Sequence, residues 1–217
     1  MSENKSIDTA VADALKHVQD GMVLGLGSGR AATTLVRSIG KKISKEGLTI
    51  EGVPTSLQIR LVAEEVGIRL VEPGEVSKID IVFDGADQID EDNYLVKGGG
   101  GALLKENILA SMAKLIIIIA DETKFAKKIS MPIPIEVQPA ARNFVIKHIR
   151  EKNGIPQVRK QERGYPIFTE NGNIMLDCDF GVIQNPLDLA AGLRQVPGIL
   201  EVGIFNRPHK IYKVNKN

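Results

Sequence analysis

The sequence has few of the features that are typical of secreted proteins, membrane proteins or nucleic-acid-binding proteins. Its one cysteine, Cys178, cannot form an internal disulfide, so we expect a reducing, cytoplasmic setting. Its 28 Lys and Arg nearly balance 27 Asp and Glu, and a net charge of +1 favours neither nucleic acid nor an anionic membrane as a partner. The longest purely apolar run, residues 115–120, is too short to span a bilayer. The polar start, residues 1–10, does not resemble a signal peptide.

Metal-ligand spacing is also missing. The three histidines, His17, His148 and His209, show no regular spacing to each other or to Cys178. Cys178 lies within the alternating stretch IMLDCDF, which is typical of a small core residue on a strand rather than a nucleophile. The sequence therefore predicts no metal site.

Strands and helices alternate through the first part of the chain, which predicts a doubly wound, Rossmann-like α/β domain. We expect this domain to span residues 1–129, with the tail 204–217 returning to it. Within it, residues 102–115 are predicted to form a helix with Leu104, Ile108 and Leu115 on one stripe. The run 115–120 is predicted to be a buried parallel strand.

A different order follows, β-α-β-β-α-β, which predicts a smaller ferredoxin-like α+β domain over residues 130–203. Its first strand, MPIPIEV, contains Pro132 and Pro134 and is expected at a sheet edge or in a linker. Asn171-Gly172, between two alternating runs, predicts a hairpin.

The first candidate site follows the first strand, in GLGSGRAA. Glycines between a strand and a helix expose backbone N–H groups at the positive end of the helix dipole, which suits a phosphate. Ser28, Gly29, Arg30 and Ala31 are the candidate contacts. From Gly27 the segment also fits the dinucleotide fingerprint, with Glu51 as a ribose-binding acid. A tight turn needed only for packing is a third interpretation.

The second candidate site is the sequence DGAD, Asp84-Gly85-Ala86-Asp87, at the end of a buried strand. Two carboxylates separated by small residues suit hydrogen bonding to hydroxyls or proton transfer. Asp is also common in helix caps and turns, and this segment alone does not decide between the two.

The third candidate site is KGGGGALLKE, Lys97 to Glu106. Gly98, Gly99, Gly100 and the glycine after them can bring bare N–H groups against a ligand. Lys97 adds a cation, and Glu106 is expected in the first turns of the following helix. A carboxylate base, a lysine and a bed of amide donors are what an enediolate intermediate requires.

These segments carry a resemblance. GLGSGRAA, GVPTS, FDGADQID, KGGGGALLKE, ADETK, PIPIEV, TENGN and PGILEVGIF are similar, in that order, to ribose-5-phosphate isomerase of type A. The resemblance implies interconversion of ribose 5-phosphate and ribulose 5-phosphate, in the non-oxidative pentose phosphate pathway, without metal or organic cofactor. It further implies a homodimer or homotetramer.

The resemblance also implies roles for individual residues. Glu106 is the proton-transferring base, and Lys97 with the Gly98–Gly100 backbone holds the reacting oxygens. Asp84 and Asp87 bind hydroxyls and help to open the sugar ring, and Lys124 reaches the substrate.

The sequence departs from the family's pattern in two places. The family's loop usually reads G-x-G-T-G-S-T-A, whereas Arg30 and Ala31 stand here where Ser and Thr are usual. Two hydroxyl donors are lost and a guanidinium, which can bind phosphate bidentately, is gained. The tail after the last strand is also shorter than usual.

Two other functions are compatible with parts of the sequence. A nicotinamide-dependent enzyme would use the loop and Glu51, but would leave Lys97 and Glu106 without a role. A sugar-phosphate sensor would bind on the same fold without turnover.

Overall fold

The computed structural model describes residues 6–215, so residues 1–5 of the polar N-terminal stretch and the last two of the tail lie outside it. Its helices are α1 Ile7–Leu15, α2 Arg30–Glu46, α3 Leu57–Glu65, α4 Leu103–Met112, α5 Arg142–Glu151 and α6 Pro186–Arg194. Its strands are β1 Val23–Leu26, β2 Glu51–Pro54, β3 Arg69–Leu70, β4 Ile79–Asp84, β5 Gln88–Ile89, β6 Leu95–Val96, β7 Ala113–Asp121, β8 Ile133–Val137, β9 Ile155–Val158, β10 Ile174–Asp179, β11 Ile199–Val202, β12 Ile204–Phe205 and β13 Lys210–Val214.

The chain divides into two compact units. The first contains residues 1–86, 105–124 and 208–217, and the second contains residues 87–104 and 125–207. These units differ from the predicted domains, chiefly because residues 87–104 group with the second unit, where β6 pairs with β5 and β12. The domain limits at 129/130 and 203/204 stay a prediction.

The first unit is built on a six-stranded sheet in the order β13-β7-β4-β1-β2-β3, with every neighbouring pair parallel. Apolar positions of α1, α2 and α3 pack with strand residues into one core, which includes Leu35, Ile59 and Phe83. A second cluster joins Leu109 of α4 to Val53, Ile79 and Val82. The predicted Rossmann-like parallel sheet is confirmed.

The second unit contains a four-stranded antiparallel sheet in the order β11-β8-β10-β9. With α5 between β8 and β9 and α6 between β10 and β11, this is the predicted β-α-β-β-α-β arrangement. Its core includes Ile135, Val145, Leu176 and Leu193. A separate three-stranded sheet, β12-β6-β5, belongs to the same unit.

The prediction that MPIPIEV forms an edge or linker strand is wrong. β8 lies inside the sheet, between β11 and β10, and all five of its residues are buried. Pro134 has no N–H to donate to the carbonyl opposite it, that of Gly203. It is tolerated there because the Lys97 N–H binds this carbonyl instead. The Pro134 carbonyl accepts the Gly203 N–H at 2.7 Å, and the Gly203 carbonyl accepts the Lys97 N–H at 3.0 Å.

The predicted helix 102–115 is shorter than expected. α4 ends at Met112, and Leu115 belongs to β7. Ile108 is 42% exposed, whereas Leu103, Glu106 and Leu109 are buried. The predicted apolar stripe was wrong because a carboxylate occupies one of the buried positions of the helix.

Candidate functional site

The candidate residues are divided between the two units. The first unit contains Ser28, Gly29, Arg30, Ala31, Asp84, Gly85, Ala86, Glu106 and Lys124, and the second contains Asp87, Lys97, Gly98, Gly99 and Gly100. In the first unit, the loop after β1, the last residue of β4 and the turn after β7 share one edge of the sheet, because the carboxyl ends of parallel strands lie together.

The β1–α2 loop, residues 27–31, connects the end of β1 to the start of α2. Gly27 donates its N–H to the Phe83 carbonyl at 2.8 Å. A side chain at Gly27 would overlap the carboxyl group of Asp84, so this glycine is required by the close approach of β4. Arg30 is the first residue of α2, and Gly29 and Arg30 are exposed at the helix start.

Ser28 is part of a cluster of hydroxyl groups. Its Oγ lies 2.8 Å from Thr55 Oγ1 and 2.7 Å from Ser56 Oγ. Thr55 is buried and donates to the Leu26 carbonyl at 2.9 Å, while Ser56 caps the N-terminus of α3. Sequence reasoning missed Thr55 and Ser56, although their position between a strand and a helix was a usable signal.

Asp84 is the last residue of β4 and is 4% exposed. Its Oδ1 accepts the Gly85 N–H at 2.8 Å, which orients the carboxyl group at the strand end. Gly85 and Ala86 are half-buried and continue into the second unit at Asp87. Asp84 therefore lies at the carboxyl end of a parallel strand, which is the edge where open α/β sheets generally bind ligands.

Glu106 lies in the first turn of α4, where the helix dipole favours a carboxylate, and is 6% exposed. The prediction of its place at the start of the helix is confirmed. Burial keeps bulk water from screening its charge, which strengthens its interaction with any neighbouring charge.

Lys124 ends a short 3-10 helix directly after β7. Asp121 shapes this turn, because its Oδ1 accepts the Thr123 N–H at 2.9 Å and the Thr123 hydroxyl at 2.6 Å. Lys124 is half-buried, and its backbone lies at the same sheet edge as Ser28 and Asp84.

In the second unit, Lys97 follows β6 and is 5% exposed. Its N–H is fixed by the Gly203 carbonyl, and its Nζ lies 5.7 Å from the centre of the Phe205 ring. Gly203 lies between β11 and β12, and Phe205 is the last residue of β12. The backbone of Lys97 is thus fixed by a hydrogen bond, and its ammonium group lies near an aromatic ring.

The glycine turn, Gly98–Gly101, follows Lys97. The Gly101 N–H donates to the Gly98 carbonyl at 3.0 Å, and both residues have positive φ, +104° and +80°, which suits glycine. Asp87 Oδ2 accepts the Gly99 N–H at 2.8 Å. Gly99 and Gly100 are exposed, so the turn offers backbone rather than side chains to a ligand.

Cys178 and Glu51 have structural roles. Cys178 is fully buried in β10, and burial raises the pKa of its thiol, so it is inert at neutral pH. Glu51 lies 3.3 Å from Arg69 in an ion pair. Within residues 6–215, no three His, Cys, Asp or Glu side chains are grouped to hold a metal ion. None of the helices in this range has the length and apolar character of a membrane span.

Comparison with known proteins gives consistent results. The model of the family described as ribose 5-phosphate isomerase A (phosphoriboisomerase A) matches residues 51–217, a range that begins after the β1–α2 loop. A ribose-5-phosphate isomerase A of Methanosarcina acetivorans is 41% identical over 201 residues, covering 92% of this chain and 86% of that protein.

Solved structures show the same fold. Ribose 5-phosphate isomerase A of Methanocaldococcus jannaschii superposes with a TM-score of 0.91 at 36% identity, covering 95% of this chain and 93% of that one. A D-ribose-5-phosphate isomerase in complex with phospho-erythronic acid gives 0.90 at 34% identity, with the same coverage of both chains. The fold is therefore that of a two-unit α/β sugar-phosphate isomerase. The chain belongs to the ribose 5-phosphate isomerase A family.

Proposed function

We propose that this protein interconverts ribose 5-phosphate and ribulose 5-phosphate through an enediolate intermediate. Family membership carries the proposal, because the matched range holds Asp84, Asp87, Lys97, Glu106 and Lys124. A relative of 34% identity binds phospho-erythronic acid, which pairs a phosphate with a carboxylate. A carboxylate resembles an enediolate in charge and planarity, and tight binding of such a group is expected where the transition state is stabilised.

The phosphate is assigned to the β1–α2 loop and Lys124. The exposed start of α2 offers N–H groups and the positive end of a 17-residue helix. The Ser28 hydroxyl donates to Thr55 in the structure, because Thr55 donates to the Leu26 carbonyl, and would turn to the phosphate when it binds. Arg30 replaces the missing hydroxyl donors of the family pattern with a guanidinium. Because phosphate does not change during the reaction, these contacts bind substrate and transition state alike.

Ring opening is assigned to Asp84 and Asp87. Sugar phosphates are mostly cyclic in water, so the ring oxygen must gain a proton and the O1 hydroxyl must lose one. Asp84 is nearly buried at the end of β4, and Asp87 is half-buried beside the glycine turn. Each carboxyl group can bind a sugar hydroxyl and assist proton transfer.

Proton transfer between carbons is assigned to Glu106. The base removes the proton from C2 of the aldose and returns it to C1. The negative charge that forms on oxygen is stabilised by Lys97 and by the N–H groups of Gly98 and Gly100, since the Gly99 N–H donates to Asp87. The buried ammonium and the exposed turn support these roles, since preorganised donors act most strongly where charge develops.

We further propose that the enzyme works in the cytoplasm, in the non-oxidative pentose phosphate pathway, as a homodimer or homotetramer without nucleic acid or membrane partners. Leu57 and Leu61, four residues apart on α3 and both more than half exposed, form an adjacent apolar pair that supports self-association. Light scattering after size-exclusion chromatography measures the oligomer mass, and a monomer would contradict this part.

The function is tested by a coupled assay of ribulose 5-phosphate formation from ribose 5-phosphate, with free ribose as the control substrate. We expect turnover of ribose 5-phosphate and far lower kcat/KM for ribose. Binding of ribose 5-phosphate without turnover would favour the sensor, and equal efficiency for both sugars would contradict the phosphate assignment.

A further inference from the structure

The glycine turn is held from one side by an arginine that is distant from it in sequence. Arg159 directly follows β9 and lies 61 residues beyond Gly98 in the chain. Its Nη1 donates to the Gly98 carbonyl at 2.8 Å and to the Gly99 carbonyl at 3.0 Å. One guanidinium nitrogen therefore binds two consecutive peptide groups of the turn.

Asp177 orients this guanidinium. The carboxylate, on the neighbouring strand β10, accepts from Arg159 Nε at 2.8 Å through Oδ2 and from Nη2 through Oδ1. The Arg159 side chain is only 14% exposed. A bidentate pair in a largely buried setting fixes the plane of the guanidinium, which in turn fixes the direction of Nη1.

Holding the carbonyls determines where the amide groups point. In a planar trans peptide the C=O and the following N–H point in opposite directions. Binding of the Gly98 and Gly99 carbonyls by Arg159 therefore directs the N–H groups of Gly99 and Gly100 away from Arg159. The Gly99 N–H donates to Asp87, which leaves the Gly100 N–H as the donor of this pair that can meet a ligand.

We propose that Arg159 is a positioning residue for the isomerisation, which it supports by holding the glycine turn in the orientation that presents the Gly100 N–H to the reacting oxygens. The assignment rests on the proposed function. Four glycines in a row have little conformational preference of their own, so the turn needs an external constraint to be preorganised. Arg159 supplies that constraint without contacting substrate, and Asp177 holds Arg159 in place.

The test compares Arg159→Lys with the matched control Arg194→Lys. Arg194 also pairs with a carboxylate, Glu201, and also reaches backbone carbonyls of the second unit, those of Val202 and Ile204. Lysine keeps the charge but cannot hold two carbonyls and a carboxylate in one plane. We expect both variants to lose thermal stability, but only Arg159→Lys to lose kcat, by roughly 10- to 100-fold, with KM nearly unchanged.

Two further measurements separate positioning from a general structural effect. Amide hydrogen exchange at Gly99 and Gly100, followed by NMR, should become faster in Arg159→Lys and stay unchanged in Arg194→Lys. Asp177→Asn, which retains the shape of the carboxyl group, should lower kcat in the same direction by a smaller factor.

The possible failures are distinguishable. An inactive wild-type protein contradicts the proposed function and this inference with it. An active wild type with a folded Arg159→Lys variant of unchanged kcat contradicts the role of Arg159 alone. An equal loss of kcat in Arg194→Lys also overturns it, because the effect then belongs to the stability of the whole unit.

Discussion

The β1–α2 loop and the glycine turn are both rich in glycine but are supported in opposite ways. In the loop, the Ser28 hydroxyl is held by Thr55 and Ser56, and the helix start with Arg30 is presented outward. In the glycine turn, the side chain of Arg159 binds the carbonyls and that of Asp87 binds an N–H group, while the turn itself exposes only backbone. The first arrangement suits an unchanging phosphate, and the second suits an oxygen that becomes negative only during reaction.

The largest expected effect comes from removing the base, whose proton transfer the glycine turn would assist. Glu106→Gln keeps size and hydrogen bonding but cannot accept a proton. We expect kcat to fall by roughly 10²- to 10⁴-fold with only a modest change in KM, measured by steady-state kinetics. Glu64→Gln, at an exposed position of α3 in the same unit, is the control and should behave as wild type.

Adding a side chain to the glycine turn tests whether bare backbone is what matters there. A Cβ at Gly100 meets no protein atom within 4 Å, whereas one at Gly99 would lie 2.8 Å from Asp87 Oδ1. Gly100→Val should therefore fold normally but lose kcat by about 10-fold or more, because the side chain occupies space meant for the ligand. Gly74→Val, at another open position, is the control. Full activity of a folded Gly100→Val would remove close approach of the ligand as the reason for the glycines.

Asp84 and Asp87 lie between the β1–α2 loop and the glycine turn in the sequence, and substituting them tests the proposed ring opening. Asp84→Asn and Asp87→Asn keep the shape of the side chain and remove the charge. We expect kcat/KM for ribose 5-phosphate to fall by roughly 10- to 100-fold in each. Unchanged values in both variants would exclude the carboxylates from the mechanism.

The loop should respond to substitution in KM rather than in kcat. Arg30→Ala removes one charged contact, which is worth about 10-fold in binding, and should raise KM by that order while leaving kcat nearly constant. Arg37→Ala, further along α2 in an exposed ion pair with Glu65, is the matched control. A fall in kcat comparable to that of Gly100→Val would break the proposed distinction between the two regions.

The smallest expected effect is a change in stability without a change in activity, at Asp80, which lies outside the β1–α2 loop and the glycine turn. Hydrogen bonds from Lys114 and, to a smaller degree, from the Val23 N–H lower the pKa of Asp80 below the ordinary value of an aspartate. A carboxyl group whose pKa is lower in the folded than in the unfolded state stabilises the fold when the pH is above its unfolded-state pKa. This stabilisation is lost as the pH falls through the folded-state pKa. Asp80→Asn should reduce the free energy of unfolding by about 1 kcal/mol at pH 7, less below about pH 4, with unchanged kcat. A pH-independent difference in chemical denaturation would contradict the assignment.

The sequence predicted the parallel sheet, the ferredoxin-like order and the candidate residues from local patterns, because strand ends and glycine runs are local features. It misplaced the apolar stripe of α4 because Glu106 takes a buried position that packing alone would give to an apolar residue. The sequence placed β8 at an edge because Pro134 lacks an N–H. The donor that replaces this N–H at the Gly203 carbonyl comes from Lys97, which is distant in sequence. Arg159 was missed for the same reason, since only the tertiary structure brings it to Gly98.

The most direct test of the account is a proton NMR experiment on ribose 5-phosphate incubated with the protein in D₂O. An enediolate formed by a carboxylate base predicts that ribulose 5-phosphate appears and that deuterium enters carbon-bound positions C1 and C2 of the sugar-phosphate pool. Glu106→Gln should lose both signals together. Absence of ribulose 5-phosphate with the folded wild-type protein, or isomerisation by Glu106→Gln at the wild-type rate, would contradict the account.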